Sequence, residues 1–182
     1  MIYQLPNDYY VRALRESDLG NAYPAWFEDQ KATRYNSHGK FPKTQNWFQE
    51  FYEGLNREDR VVWAVCHKAD GHIGNVSLQG LSFVNRNAEF AILIGDRRHW
   101  GKSLGLDVGR TLFRHGFLKL NLTRIYCGTA ENNFGMKKLA QKLGMQEEGR
   151  RRKHLFLDGE WVDMLEFGVL RDEFLDREQV EC

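Results

Sequence analysis

Apolar and polar residues alternate over residues 9–14, which predicts a short strand, and Ser17-Asp18 then reads as the N-cap of a helix through Trp26 and Phe27. A polar and aromatic loop follows. From Lys43-Thr44 to Gly54 the positions Trp47, Phe48, Phe51, Tyr52 and Leu55 recur at helical spacing, so these rings are expected to pack on a core. Residues 61–67 and 73–84 flank Asp70-Gly71 and predict a hairpin, the Asp-Gly pair supplying the positive φ angles of a two-residue turn. Asn85-Arg86-Asn87 turns the chain again, and the nearly continuous apolar run 88–95 has the pattern of a strand buried on both faces. A helix over 103–120 carries Leu104, Val108, Leu112 and Phe113 on one side. A strand over 123–129 comes next, and Asn132 or Asn133 then caps a helix that runs through Leu143 and closes at Gly144. Strands near 145–156 and 160–169, joined by Asp158-Gly159, form a last hairpin; the tail from Arg171 reads as a short polar helix.

The predicted order is strand, two helices, three antiparallel strands, helix, strand, helix, two strands. It implies an α/β (mixed α+β) architecture, with a central mixed, mostly antiparallel sheet of about seven strands flanked by helices. A helix between the strands at about 88–95 and 122–129 predicts a parallel pair in the middle of that sheet, with a cofactor entering between them. With 182 residues, 42% of them hydrophobic, the chain suits a single domain over 1–182 with a polar tail from about 171.

Charge narrows the function. The net charge of +1 gives no electrostatic argument for nucleic acid or an anionic membrane, and the basic run 150–153 is offset by acidic residues in the tail, Glu181 among them. Cys66, Cys127 and Cys182 are scattered, without the spacing of a zinc site or a disulfide framework, and Cys66 and Cys127 read as small core residues. No metal is expected. The N-terminal segment lacks a signal-peptide pattern and no apolar run reaches the ~20 residues of a membrane span, so the expected location is cytoplasmic.

The richest chemistry lies in residues 92–105, where an apolar strand passes through a glycine and basic turn into a helix. Unpaired N–H groups and the positive end of the dipole make such a helix start a phosphate site. A nucleoside-triphosphate P-loop would place four residues between its glycines; Gly95 and Gly101-Lys102-Ser103 enclose five, three of them bulky. Arg98, Gly101 and Ser103 instead meet the pattern Arg/Gln-x-x-Gly-x-Gly/Ala, with Ser in the last place. This loop resembles the acetyl-CoA signature of the GNAT superfamily of N-acetyltransferases. Further stretches resemble its ribosomal-protein acetyltransferase (RimJ/RimL-like) branch in order along residues 9–175: 11–14 with 17–18, 73–76, 120–125, 131–133, 142–145 with 148–149, and 158–163.

The resemblance implies a parallel pair splayed for CoA. Backbone groups around Leu93 and Ile94 would pair with the pantetheine amides, and Arg98, Gly101, Lys102, Ser103, Leu104 and Gly105 would surround the pyrophosphate. Asn133 matches a family Asn that contacts pantetheine, against a plain N-cap, and Lys138 is a candidate for the 3′-phosphate. Acetyl transfer needs a neutral amine, so an ammonium with pKa near ~10 must lose its proton to a base. Glu89 matches the family position for that base, with Glu131 second. The tyrosine that many relatives use to protonate the leaving thiolate aligns with Ala140, and the serine of some ribosomal-protein acetylases with Met136. A water, Tyr126, His99 or no acid at all would then serve. Backbone N–H near Leu93 or Ile94 would polarise the acetyl carbonyl, and no nucleophilic Cys or Ser–His arrangement points to a covalent intermediate.

Acceptor selection is expected from the helical insert and its loop, through Trp26, Tyr35, His38 and Phe41, beside Phe27, Asn36 and Ser37. Aromatic planes with hydroxyl and amide groups suit a small amine such as an amino sugar nucleotide, and the loop holds no acidic cluster of the kind a polyamine would need. The alternatives are a protein N-terminus or a non-catalytic CoA-binding role. The protein is expected to be a monomer or homodimer.

Overall fold

The computed structural model describes residues 1–20 and 22–180, so Glu181 and Cys182 lie outside the described residues. Eight strands form one sheet in the order β1-β2-β3-β4-β5-β6-β8-β7: β1 Ile2–Gln4, β2 Tyr9–Ala13, β3 Val61–His67, β4 Gly71–Ser82, β5 Asn87–Ile94, β6 Arg124–Ala130, β7 Gln146–Leu157 and β8 Glu160–Leu170. All neighbours are antiparallel except β5 and β6, which the crossover helix α3, Leu104–Leu118, makes parallel. The eighth strand, beyond the seven expected, is β1, a three-residue edge strand on β2 too short to show a period.

The sheet separates two cores. On one face α3, α4 (Phe134–Lys142) and α5 (Arg171–Val180) bury Phe90, Phe113, Phe117, Ala140, Leu143 and Phe174 with the strands. Each large side chain so buried contributes roughly 1.5–3 kcal/mol. Phe174 packs 5.7 Å from Phe113 and 5.4 Å from Phe117, so the tail expected to be a polar helix is anchored in the core by one ring. On the other face α1, Tyr23–Glu28, and α2, Gln45–Glu53, close a second core around Tyr23, Trp26 and Phe48.

Two local expectations are corrected. Ser17-Asp18 does not cap a helix into Phe27: residues 16–20 form a 3₁₀ turn and α1 begins at Tyr23. Asp18 is drawn into the interior instead, where Arg12 grips it with two hydrogen bonds of 2.7 and 2.8 Å. Burial opposes its charge, but that fork and the Arg15 N–H outweigh it and hold the carboxyl below its ordinary pKa. Nor is Asp70-Gly71 a two-residue turn. His67 pairs with Gly71, so Lys68, Ala69 and Asp70 make the loop, and Gly71 alone takes positive φ (+75°). That leaves Asp70 on the loop.

Candidate active site

The site begins with a divergence of strands. β5 and β6 pair only at Asn87–Arg124, Ala88–Ile125 and Glu89–Tyr126, while β5 continues to Ile94 and β6 to Ala130. The edge of β5 beyond Glu89 is therefore unpaired towards β6, a slot for a ligand that supplies strand-like amides. Across β4 the rungs Asn75–Leu93, Ser77–Ala91 and Gln79–Glu89 bring alternate side chains to one face. The first two rungs and Gln79 floor a pocket of about 100 Å³ whose walls are Tyr23, Phe27, Asn36, His38, Trp47 and Phe51. A wider groove of about 570 Å³ beside Arg152, Lys153 and Asp163 lies on the β7–β8 hairpin at the sheet edge.

At the open end of β5 the chain turns through residues 95–103 into α3. Asp96 caps this turn and holds Arg98 through both carboxylate oxygens, the shortest contact being 2.6 Å, while Arg97 pairs with Asp29 at 2.8 Å. The Arg98 hydrogen bonds lower the pKa of Asp96 against a weaker effect of burial. The Trp100 indole donates to the Ile94 carbonyl at 2.7 Å, so one of the backbone groups expected to face pantetheine already has a partner. Gly101 has φ +74° and Ser103 φ +57°, and no side chain caps α3. The first N–H groups of α3 are thus without a side-chain cap. Gly95 serves packing rather than phosphate: a Cβ there would lie 2.0 Å from the Trp26 ring.

The acceptor residues divide differently from expectation. Of Trp26, Tyr35, His38 and Phe41, only His38 lines the pocket. Trp26 is 5% exposed and packs 4.8 Å from the His72 ring beneath the pocket wall, because the close approach at Gly95 draws it inward. Phe41 is 71% exposed and lies outside the pocket, where its residue type alone could not place it. Tyr35 also lies outside, but its hydroxyl donates 3.0 Å to the Asn132 carbonyl. With Arg34 on Asp158 (2.9 Å) and Lys40 Nζ donating to the Phe156 carbonyl (2.6 Å), residues 34–40 strap α1 to the β6–α4 loop and the β7–β8 turn. Tyr23, Trp47 and Phe51 were missed as pocket residues, since helical spacing cannot tell a core face from a pocket wall.

Residues 9–146 match the family described as the acetyltransferase (GNAT) domain. The chain belongs to the GNAT acetyltransferases. It is similar to a spermidine N(1)-acetyltransferase of Vibrio cholerae, with 29% identity over 146 residues, 73% of this chain and 83% of that protein. A putative ribosomal N-acetyltransferase of Bacillus subtilis is 30% identical over 106 residues, 58% of this chain and 57% of that one. Among solved structures, spermidine N-acetyltransferase from Vibrio cholerae in complex with CoA and spermine has the same fold, with a TM-score of 0.84 at 24% identity, covering 92% of this chain and 98% of that one. The protein is an acetyl-CoA-dependent N-acetyltransferase, which overturns the P-loop alternative.

Within this GNAT domain the carboxylates separate. Glu89 is exposed at the apex of the splayed strands, in the same rung as Gln79 of the pocket floor, and is also the strand partner of Tyr126. Glu131 is engaged: one oxygen accepts from the Asp163 N–H at 3.3 Å and the other pairs with Arg150 at 3.1 Å. Asn133 caps α4, accepting from the Met136 N–H at 3.2 Å while its amide donates to Thr129 Oγ1 at 3.0 Å. The cap and Thr129 thus occupy one end each of the side chain that the resemblance assigns to pantetheine. Lys138 is exposed on α4. Ala140 is fully buried and Met136 packs on the core, so neither position presents an acid to the slot. His99 is buried against Tyr9, and Tyr126 is the strand partner of Glu89. Cys127 is buried with its pKa pushed up to about 12 by that burial, the state of a core thiol rather than a nucleophile. No helix among the described residues is long and apolar enough to cross a membrane.

Proposed function

We propose that this enzyme acetylates the primary amine of a compact, hydroxyl-rich small molecule such as an amino sugar nucleotide, by direct attack within a ternary complex. The observation that carries the reading is the pocket lining. It combines the aromatic rings of Tyr23, Phe27, Trp47 and Phe51 with amide, hydroxyl and imidazole groups of Asn36, Asn75, Ser77, Gln79 and His38, and no carboxylate is among its lining residues. Rings stack on sugar or base planes and amides pair with hydroxyls, whereas a polyamine needs carboxylates against its extra ammonium groups. The acetyl-CoA would lie along the free edge of β5, with its pyrophosphate over Arg98, Gly101 and residues 102–105. Glu89 takes the proton of the attacking ammonium, directly or through a water. Backbone N–H near Leu93 or Ile94 steadies the oxyanion, and Tyr126 or a water returns a proton to the thiolate.

A second reading, N-terminal acetylation of a protein in the manner of the RimJ/RimL-like branch, is supported by the similarity to the putative ribosomal N-acetyltransferase. The strap of residues 34–40 favours a small acceptor by walling the pocket. The working unit is taken as one domain acting in the cytoplasm as a monomer or homodimer. Release of CoA thiol, measured against uridine-diphosphate amino sugars, free amino sugars, spermidine and an Ala-initiated peptide, tests the acceptor. At least about tenfold higher kcat/KM for an amino sugar compound than for spermidine is expected, a difference of about 1.4 kcal/mol. Preferred turnover of spermidine or of the peptide would overturn this choice of acceptor.

A further inference from the structure

Two imidazoles and a carboxylate from two separate segments, the β3–β4 hairpin and the loop that precedes α3, converge. They are His67 at the end of β3, Asp70 in the following turn and His99 in the 3₁₀ turn Arg97–His99, with ligand atoms all within 4.8 Å of one another. Asp70 Oδ2 lies 2.7 Å from His67 Nδ1 and 3.5 Å from His99 Nε2. His67 Nδ1 is sealed from solvent yet has no hydrogen-bond partner, because the nearby carboxylate sits out of line with the ring. On the far side of the cluster, His99 Nδ1 and the buried Tyr9 hydroxyl are 2.8 Å apart. That contact fixes the proton on Nδ1 when Nε2 coordinates, the second-shell device common to metal-binding histidines.

We propose that His67 Nδ1, Asp70 Oδ2 and His99 Nε2 form a binding site for a divalent transition-metal ion of the Zn²⁺ class, separate from the acetyl-transfer chemistry. Bonds of about 2.0–2.2 Å in a tetrahedral site put ligand atoms about 3.4 Å apart. The Asp70–His99 separation already matches this, the Asp70–His67 separation needs to open by about 0.7 Å, and the His67–His99 separation, within 4.8 Å, needs to close by at most about 1.4 Å, adjustments that side chains beside an exposed turn can supply. A water completes the four, entering past Asp70, whose side chain is 26% exposed. Imidazole with one carboxylate selects Zn²⁺, Co²⁺ or Ni²⁺ over Mg²⁺, which prefers six oxygen ligands. The ion would staple the β3–β4 turn to the 95–103 loop and draw Asp70 from Arg98, now 3.4 Å away. The site has no sequence signature because His67 and His99 stand on different elements.

Titration of the untagged, chelator-treated full chain with Zn²⁺ alone tests this, with Co²⁺ absorption reporting ligand geometry. One Zn²⁺ per chain is expected, with tetrahedral Co²⁺ bands, no competition from Mg²⁺, and binding lost in His67→Asn and Asp70→Asn. Tyr9→Phe, which leaves the ligands in place, should weaken Zn²⁺ binding about 10- to 100-fold. His67 and Asp70 are partly exposed, so their variants are expected to fold, and circular dichroism checks this. Absence of stoichiometric binding to the parent chain, or equal binding by the folded His67→Asn and Asp70→Asn proteins, overturns the proposal.

Discussion

The donor side of the cleft and the acceptor side are built in opposite ways. The donor side, residues 87–118, is one continuous strand, turn and helix whose parts lie next to each other in sequence. The acceptor side takes its walls from α1, the 3₁₀ turn Ser37–Lys40, α2, β3 and β4, and is tied down by contacts between residues 97 to 124 positions apart. Local construction leaves a readable motif; assembly from distant pieces leaves only residue types. The same contrast explains why the donor is identified while the acceptor rests on the lining of one pocket.

The largest expected effect lies where the two sides meet. Glu89→Gln should lower kcat by about 10²- to 10⁴-fold at neutral pH. Acetyl-CoA affinity by calorimetry should be unchanged, since the slot and loop lie further along the chain. Retention of full activity across the pH range would remove Glu89 as the base. Next in size, Gly95→Ala drives a methyl into the Trp26 ring and should cost about 1–3 kcal/mol in denaturant unfolding, because α1 and the end of β5 cannot both stay in place. A variant as stable as the parent would mean that the sides are less tightly joined than their packing indicates.

A third expectation concerns pH. Burial, the largest influence on both, lowers the pKa of His72 beneath the acceptor side and of His115 on α3. Below about pH 6.5 the unfolded chain takes up these protons before the folded one does. Stability is therefore full above that value and falls as pH drops towards the lowered folded-state pKa values. The urea midpoint at about pH 5.5 should lie below that at about pH 7.5, and a flat or rising midpoint would count against buried neutral imidazoles. The smallest effect belongs to the donor side alone. Ser103→Gly relieves a left-handed residue worth about 1–2 kcal/mol, less about 0.5–1 kcal/mol of glycine entropy, so the apo protein should gain somewhat under about 1 kcal/mol. Loss of acetyl-CoA affinity in that variant would show that the hydroxyl contributes to phosphate binding.

Much of the fold was legible because period and punctuation act locally. The strands at 61–67, 88–95 and 123–129, the helix from 103, and the cap at Asn133 with its close at Gly144 stand within a few residues of expectation. Where the structure departs from local expectation, the reasons are non-local. Asp18 left its capping role for an ion pair with Arg12, Trp26 packs inward against the close approach at Gly95, and Glu131 pairs with Arg150 of β7. Asn133 is visible in sequence as both a cap and a ligand contact, and in this structure its side chain caps α4 and donates to Thr129 of β6.

The order of elements, the parallel crossover and the glycine-rich, basic turn into α3 follow from the sequence, because each depends on residues within one or two turns of each other. Tertiary structure alone decided where β5 and β6 part, which aromatic rings wall the pocket, which carboxylates stay free, and that His67, Asp70 and His99 meet. Those outcomes depend on competition for partners across the sheet, and a buried or charged group takes the best partner the fold brings within reach, wherever it lies in the chain.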